Sequence, residues 1–164
     1  MKKFLRVLLI LLLVIVIAVG GLLGWLTATE YKPEAVEKLA IRSLSSDSPA
    51  LPAEGLSVLS WNIGYAGLGK DSDFFMDGGK DSRSADNAKV NEYLNGIHET
   101  IQAEATDLVM LQEVDTDSGR TYRIDETAAL IENNGVHALN YSCPFVPIPF
   151  PPMGKINSGL YTTT

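Results

Sequence analysis

The chain has 164 residues, of which 20 are acidic and 13 are basic, so its formal net charge is −7 at pH 7. This balance disfavours non-specific binding to nucleic acids, because such binding depends on neutralising phosphates with Lys and Arg. Cys143 is the only cysteine, which excludes an internal disulfide bond. The excess of carboxylates is compatible with a cation-binding site, although solubility alone is the commoner reason for it.

The N-terminal segment has the pattern of a transmembrane anchor. Lys2, Lys3 and Arg6 precede an uncharged apolar run of twenty residues from Val7 to Leu26. At about 1.5 Å per residue, a helix of this length crosses the ~30 Å hydrocarbon layer and satisfies its own backbone hydrogen bonds. The positive-inside rule keeps the N-terminus in the cytoplasm. We therefore expect a single-pass protein of the cell membrane, with residues 1–28 as the anchor and the rest of the chain extracytoplasmic.

A cleaved signal peptide is the alternative interpretation of this segment. Signal peptides have a shorter apolar core, about 7–15 residues, followed by a small-x-small cleavage site. Leu26-Thr27-Ala28 matches such a site poorly, so the uncleaved anchor is favoured.

Residues 29–55 are predicted to connect the anchor to a folded domain. Tyr31–Arg42 is interpreted as a short juxtamembrane helix, because Pro33 stands near its first turn and three apolar residues recur on one side. Ser43–Gly55 (SLSSDSPALPAEG) is typical of a linker in its content of Ser, Pro and Gly. The folded domain is therefore expected at 56–164, a length close to the usual domain size.

Segments with strand and helix patterns alternate within this domain. Short apolar runs that end in polar or turn residues predict strands, and apolar residues at helical spacing predict helices. The predicted strands are Leu56–Tyr65, Asp107–Val114, Val136–Ser142 and Gly159–Thr164, and the predicted helices begin at Asp86 and span Ile124–Glu132. Ala66–Ala85 is a long Gly- and Asp-rich loop, and Pro144–Pro152 is expected to form neither helix nor central strand. The alternation indicates an α/β domain.

Two of the predicted strands end in polar side chains. Asn62 closes the first strand motif, SWN, and Glu113 lies at the end of the second, LQEV. In α/β sheets, ligands collect beyond the carboxyl ends of strands. An amide oxygen and a carboxylate are hard oxygen donors of the kind that Mg²⁺ accepts. Taken alone, Asn62 is more simply a turn residue and Glu113 a solvated one, so the pair is a hypothesis for a metal site.

The segments LSVLSWNIGY and DLVMLQEVD, about fifty residues apart, resemble the first two motifs of the endonuclease/exonuclease/phosphatase superfamily. GLGKDSDFFMDGGK, QEVDTDSGRTYRIDE and CPFVPIPFPPMGKINSGL are similar to a membrane-anchored bacterial branch of it. The resemblance covers 56–164 and implies the N-terminal half of a four-layer α/β sandwich of the deoxyribonuclease I type. It also implies a phosphoesterase that uses Mg²⁺, or Mn²⁺ in its place, to hydrolyse a phosphodiester or a phosphomonoester.

The same resemblance assigns roles to five residues of this sequence. Asn62 and Glu113 are implied to form the catalytic metal site, with Glu113 as the direct ligand. Arg120, Asn157 and Ser158 are implied to bind the substrate, and Arg120 would present its planar fork to a phosphate.

Arg120 also has a simpler interpretation, as a loop arginine paired with Asp115 or Asp117. Two loop segments carry apolar residues that need burial or a partner. For Phe74–Met76, packing is favoured over contact with lipid or substrate. For the proline-rich segment 144–152, a rigid loop held against the domain is favoured over a polyproline ligand for a partner protein.

The later motifs of the superfamily, a Gly-Asp-x-Asn turn and a terminal Ser-Asp-His, are absent from this sequence, and neither His98 nor His137 is expected to replace them. The chain is therefore expected to be an inactive fragment that lacks the C-terminal half of the domain. Its acidity favours a lipid or small phosphoester over long DNA as the substrate. The alternative function is a non-enzymatic, membrane-tethered binding or structural module, and nothing in the sequence indicates the oligomeric state.

Overall fold

The computed structural model describes residues 1–44, 52–130 and 132–164. A long N-terminal helix, α1 (Lys2–Ala28), precedes a domain of mixed α/β structure. Its apolar side chains are exposed, and Leu26 is the one half-buried residue of α1 within the described chain. Among the described residues, α1 is the one helix long and apolar enough to cross a membrane. A helix that is apolar all round, and whose described side chains are exposed except for the half-buried Leu26, is suited to an apolar solvent, as the sequence predicts.

The predicted helix Tyr31–Arg42 is wrong. Residues 29–40 follow an irregular path, and Ile41–Ser43 form a strand, β1. A helix of about 12 residues is marginal in water unless one face packs, and Val36 on the expected apolar face is 81 % exposed. Pairing with a neighbouring strand over 134–136 gives the backbone groups of β1 stable partners instead. Residues 45–51 of the predicted linker lie outside the described residues.

The remaining strands are β2 (Val58–Asn62), β3 (Leu108–Asp115), β4 (Asn134–Val146) and β5 (Gly154–Thr163). In the described part of the chain, these four strands and β1 form one five-stranded sheet in the order β1-β4-β5-β3-β2. β2 and β3 are parallel, and the other neighbouring strands are antiparallel. A parallel pair needs a long crossover connection, which is supplied here by a helix, α2 (Asn87–Glu104). The predicted α/β class is therefore confirmed as a mixed sheet with a helical crossover.

The predicted strands are all present, but their ends differ. β2 stops at Asn62, and Gly64–Ala66 form a 3₁₀ turn in place of the last predicted strand residues. β4 is longer than predicted and continues through Pro144. The ladder between β4 and β5 is interrupted there by a bulge between Cys143 and Val146, so the missing N–H of Pro144 costs no strand pairing.

The crossover helix covers one face of the sheet. α2 begins as predicted, because the Asp86 side chain accepts a hydrogen bond from the Lys89 N–H at 2.8 Å. Val90, Leu94, Ile97 and Ile101, which recur at helical spacing, are buried against Val109 and Leu111 of β3 and Tyr161 of β5. A short helix, α3 (Glu126–Leu130), completes this layer and is shorter than the predicted 124–132.

The opposite face of the sheet is exposed among the described residues. Strand residues alternate between faces, and those that point away from α2 include Val58, Met110 and Leu160, which are between 42 % and 50 % exposed. The described part of the chain thus forms a helical layer on a single sheet. The finer expectation of a four-layer sandwich is not established by it.

The N-terminal cap of α2 gives a direct test of this packing. Replacing Asp86 with Ala removes the acceptor for the Lys89 N–H, and we expect the free energy of unfolding to fall by about 1 kcal/mol. Asp86→Asn keeps an acceptor and should retain most of the stability. The measurement is urea unfolding of the whole chain in detergent micelles, followed by circular dichroism. Equal loss in both variants would contradict the cap.

Candidate functional site

The strand ends of β2 and β3 meet at one edge of the sheet. The two strands are parallel, with Asn62 opposite Gln112, so their carboxyl ends lie side by side. The register between β3 and β5 shifts between Leu111 and Val114, and Glu113 lies in this bulge with a φ of 56°. Bulges of this kind re-aim a side chain and are common beside functional sites. The bulge turns Glu113 toward Asn62.

A hydrogen bond joins the two residues that the sequence singled out. The Asn62 side-chain nitrogen donates to Glu113 Oε1 at 3.0 Å, and Asn62 Oδ1 accepts from the Gly64 N–H at 2.9 Å. The Asn62 amide is therefore fixed at both ends. In this arrangement Glu113 offers its carboxylate oxygens to a ligand, while Asn62 orients that carboxylate.

Glu113 lies between two pockets. The larger one, about 710 Å³, lies between the end of β2 and α2, and Asn62 borders it as well. The second pocket, about 430 Å³, lies on the other side of Glu113. Its polar lining comes from Glu113, Arg120, Asn140, Tyr141 and Ser158, and its apolar lining includes Leu68, Phe74, Met76, Val146 and Met153. A ligand in the second pocket would meet Glu113 and Arg120 together.

Arg120 is held by a buried ion pair. Its Nε and Nη2 donate to the two carboxylate oxygens of Asp115 at 2.8 and 2.9 Å, and Asp115 is fully buried. Nη2 also donates to Ser158 Oγ at 3.3 Å. The simpler interpretation, a pair with Asp115, is therefore observed, but the pair is buried and still borders the second pocket. Among the described residues, Nη1 is the guanidinium nitrogen that has no hydrogen-bond partner.

The ring of Tyr65 stacks against the guanidinium group of Arg120. The guanidinium carbon of Arg120 lies 3.6 Å from the centre of the Tyr65 ring, a stacked cation–π geometry. Tyr65 is buried with a φ of 44°, so its backbone holds a conformation that few large residues adopt. Burial raises the pKa of the Tyr65 phenol to about 12, so its hydroxyl is protonated at neutral pH. Phe74 packs edge-to-face against the Tyr65 ring, and Phe75 against Phe74, which confirms the packing interpretation for these two residues. The same interpretation is wrong for Met76, which is 73 % exposed.

A buried carboxyl group lies behind the ion pair. Glu126 Oε2 accepts a hydrogen bond from the Asp115 N–H at 2.8 Å, and Glu126 is fully buried. Its Oε1 has no hydrogen-bond partner among the described residues. Burial, with the nearby Asp115 charge, raises the pKa of Glu126 well above its usual range. Burial therefore favours the neutral, protonated form of the Glu126 carboxyl.

Ser158 and Asn157, the two substrate-binding residues predicted on β5, have different surroundings in the structure. Ser158 is buried and contacts Arg120 in the second pocket. Asn157 borders neither pocket; its Oδ1 accepts from Ser142 Oγ at 2.6 Å, and its backbone N–H and carbonyl both bond the Ser118 hydroxyl. Through these bonds Asn157 links β5 to β4 and to the loop after β3. It does not reach the pocket that Ser158 borders, because successive strand residues face opposite sides.

Asp115, Glu126 and Tyr65 are the residues of this site that the sequence interpretation did not assign to it. Asp115 entered only as a partner for Arg120, and Glu126 has the pattern of an ordinary acid in the first turn of a helix. Nothing local distinguishes a buried acid from a solvated one. The spacing of Asp115, Arg120 and Glu126 around one short loop is the one signal available.

The donors of the site suit a hard cation but are few. Within residues 1–44, 52–130 and 132–164, no group of three or more His, Cys, Asp or Glu side chains is arranged to hold a metal ion. Glu113 supplies one carboxylate, a ligand type that Mg²⁺ and Mn²⁺ accept together with water and phosphate oxygens. His137 is tied to the Val114 carbonyl at 3.4 Å, and His98 lies beside Glu132, so neither joins the site.

Comparison of this chain with protein families, with curated proteins and with solved structures found no match.

The raised pKa of Glu126 predicts a pH-dependent stability. A group that binds its proton more tightly in the folded state stabilises the protein below its ordinary pKa of 4.5, and this contribution is lost as the pH rises toward the folded pKa. Glu126→Gln keeps an acceptor for the Asp115 N–H but does not titrate. We expect the stability of the wild type relative to this variant to fall above about pH 4.5, by up to about 1.4 kcal/mol per pH unit.

Urea unfolding of the whole chain in micelles, at several pH values between about 4.5 and 8, measures this difference. Glu99→Gln, at an exposed position of α2, is the matched control and should give a curve parallel to the wild type. A Glu126→Gln curve that is also parallel to the wild type would mean that Glu126 is ionised in the folded protein.

Proposed function

We propose that this protein is a membrane-anchored phosphoesterase that uses Mg²⁺ or Mn²⁺ and hydrolyses a phosphodiester or a phosphomonoester by in-line attack of water. One observation carries the proposal. Glu113, which a bulge at the end of β3 re-aims and which Asn62 orients, faces a pocket beside the partly buried Arg120. A carboxylate for a metal ion and a cation for a phosphate are two of the groups that metal-dependent phosphoester hydrolysis uses at one site.

Glu113 would hold the metal ion, which when bound neutralises charge on the phosphoryl oxygens and stabilises the leaving oxygen. Asn62 keeps the Glu113 carboxylate in place and fixes which of its oxygens is engaged. This is the role of an outer group that orients a ligand, rather than of a ligand itself. The proposed division of labour is therefore Glu113 as the metal ligand and Asn62 as its positioning residue.

Arg120 would bind the phosphate through Nη1. Its Nε and Nη2 already bind Asp115, so a two-pronged contact through that edge is unavailable to a substrate. Stacking on Tyr65 and the bond to Ser158 hold the guanidinium plane still. A preorganised cation of this kind stabilises developing negative charge without reorganising during the reaction. Ser158 contributes its hydroxyl to the same pocket, and Asn157 supports the sheet behind it.

The exposed sheet face supports the proposed sandwich. Val58, Met110 and Leu160 form an apolar surface on the side away from α2, and two sheets of a sandwich pack face to face with such surfaces about 10 Å apart. We infer that a second sheet covers this face in the whole domain. That second half would also bring the metal ligands and the general base that the described residues lack, so this chain alone would be inactive.

The substrate is proposed to be a small or lipid phosphoester. Without Lys2, Lys3 and Arg6 of the anchor, ten basic residues remain against twenty acidic ones. A domain of this charge repels long nucleic acids, while the anchor keeps the pocket close to lipid head groups. The proposed topology has the N-terminus in the cytoplasm and the domain on the outer side of the cell membrane.

The rival is a non-enzymatic, membrane-tethered binding module. The same exposed sheet face favours it, since an apolar surface of this kind also suits a partner protein. The two proposals differ in what the Glu113 carboxylate is needed for. In a binding module, neutralising Glu113 should leave function unchanged.

Glu113→Gln in the complete gene product tests the proposal. With bis(p-nitrophenyl) phosphate as substrate, we expect Mg²⁺-dependent hydrolysis by the wild type. Loss of an orienting group costs about 10–100-fold in activity, so Asn62→Ala should fall in that range and Glu113→Gln, which removes the ligand, should fall further. Glu99→Gln on the exposed side of α2 is the charge-matched control and should keep full activity.

Full activity of Glu113→Gln would remove this residue from the site. Absence of Mg²⁺-dependent hydrolysis in the wild-type gene product, tested with phosphodiesters and phosphomonoesters, would favour the binding module.

A further inference from the structure

Three large apolar side chains are unusually exposed on two neighbouring loops. Met76 lies on the Gly- and Asp-rich loop, and Ile148 and Phe150 lie on the proline-rich segment. They are 73 %, 72 % and 88 % exposed. The expectation that this segment is held against the domain is therefore wrong for Ile148 and Phe150. We call these three side chains the apolar rim.

The two loops of the apolar rim are joined to each other. The Ser82 hydroxyl, on the first loop, donates to the Pro151 carbonyl at 2.8 Å on the second. Met76 borders the second pocket, as do Val146 within the proline-rich segment and Met153 just after it. Ile148 and Phe150 do not line the pocket, but each lies within three residues of one of these lining residues, so the apolar rim lies beside the pocket that contains Arg120 and Glu113.

The end of α1 lies next to the same pocket. Leu26, Thr27 and Glu30 enclose a small cleft with Tyr141 and Cys143 of β4, and the Tyr31 N–H bonds the Ser142 carbonyl at 3.4 Å. Tyr141 also borders the second pocket. The point where α1 would leave a bilayer is thus separated from the pocket by one side chain.

We propose that the apolar rim inserts into the interfacial layer of the bilayer that α1 crosses. Tyr141 borders both the cleft at the end of α1 and the pocket that Met76 borders, so the end of α1 and the rim would meet the membrane on the same side of the domain. Single exposed apolar residues are ordinary, but three on two joined loops beside one pocket, near the exit of an apolar helix, form a surface suited to lipid.

This placement opens the second pocket at the level of the lipid head groups. If the proposed function holds, on which this step rests, the phosphate that Arg120 binds belongs to a membrane lipid. The mixed lining of the pocket agrees with such a ligand, since polar groups lie beside Leu68, Val146 and Met153. A phosphate attached to an apolar group meets both kinds of surface there.

Quenching of a single tryptophan by brominated lipids tests the insertion. Trp25 and Trp61 are replaced with Phe, Phe150 is replaced with Trp, and the whole chain is reconstituted in phosphatidylcholine vesicles. Interfacial side chains reach about 5–10 Å into the head-group and acyl boundary. Bromine on the upper acyl carbons should therefore quench this tryptophan about twofold or more relative to unbrominated lipid.

Val58→Trp in the same background is the matched control. Val58 is 49 % exposed and begins β2, at the end of this strand away from Asn62. Because β2 is an edge strand separated from β4 by β3 and β5, a tryptophan at this position should not be quenched by the lipid. Ile148→Trp provides a second position in the rim and should behave like Phe150→Trp.

Two results would overturn the proposal. One is equal quenching of the rim and control tryptophans. The other is a rim tryptophan shielded from aqueous iodide but not quenched by brominated lipid, because protein would then cover it. The measurement needs no catalysis, so Glu113→Gln should leave the quenching unchanged. Hydrolysis is assayed separately on the complete gene product, so insertion of the rim together with no hydrolysis in that assay would count against the phosphoesterase and not against the apolar rim.

Discussion

The hydrogen bond from Asn62 to Glu113 joins two strand ends that are 51 residues apart in the sequence. It forms because β2 and β3 are parallel, which brings both carboxyl ends to one edge, and because a bulge turns Glu113 out of the regular ladder. Without the bulge, alternation along β3 would fix the direction of this side chain by the pleat alone. The direction of the Glu113 carboxylate, and with it the position of this group between the two pockets, depends on this local irregularity.

Arg120 is positioned by a second set of interactions, namely hydrogen bonds, an ion pair and a cation–π contact with buried side chains. Glu126 holds the Asp115 backbone, Asp115 holds two nitrogens of Arg120, and Tyr65 supports the guanidinium face. A buried ion pair often adds little net stability, although breaking one costs about 3–5 kcal/mol. Its value here is positional, since it leaves one nitrogen of a fixed cation for a ligand. The raised pKa of Glu126 favours its neutral form, which places no second negative charge beside Asp115.

Sequence patterns predicted the elements whose signal is local. The helical spacing of Val90, Leu94 and Ile97 located α2, and the apolar runs located the strands. Tyr31–Arg42 failed because β-pairing with β4 is a long-range interaction that helix spacing cannot register. Ser158 contacts Arg120 in the second pocket, whereas Asn157 faces the other side of the strand, and the alternation of a strand whose register is set by long-range pairing decides which of the two does so. Glu126 was missed because burial depends on the tertiary packing.

The position of the metal is the point on which the phosphoesterase depends most. Mn²⁺ titrated into the complete gene product, labelled with ¹⁵N in micelles, broadens the resonances of nuclei close to the bound ion. If Glu113 is the ligand, the Asn62 side-chain amide should broaden at low Mn²⁺ in the wild type and stay sharp in Glu113→Gln. Selective broadening of the Asp-rich loop, with the Asn62 amide unaffected, would contradict a metal site at Glu113.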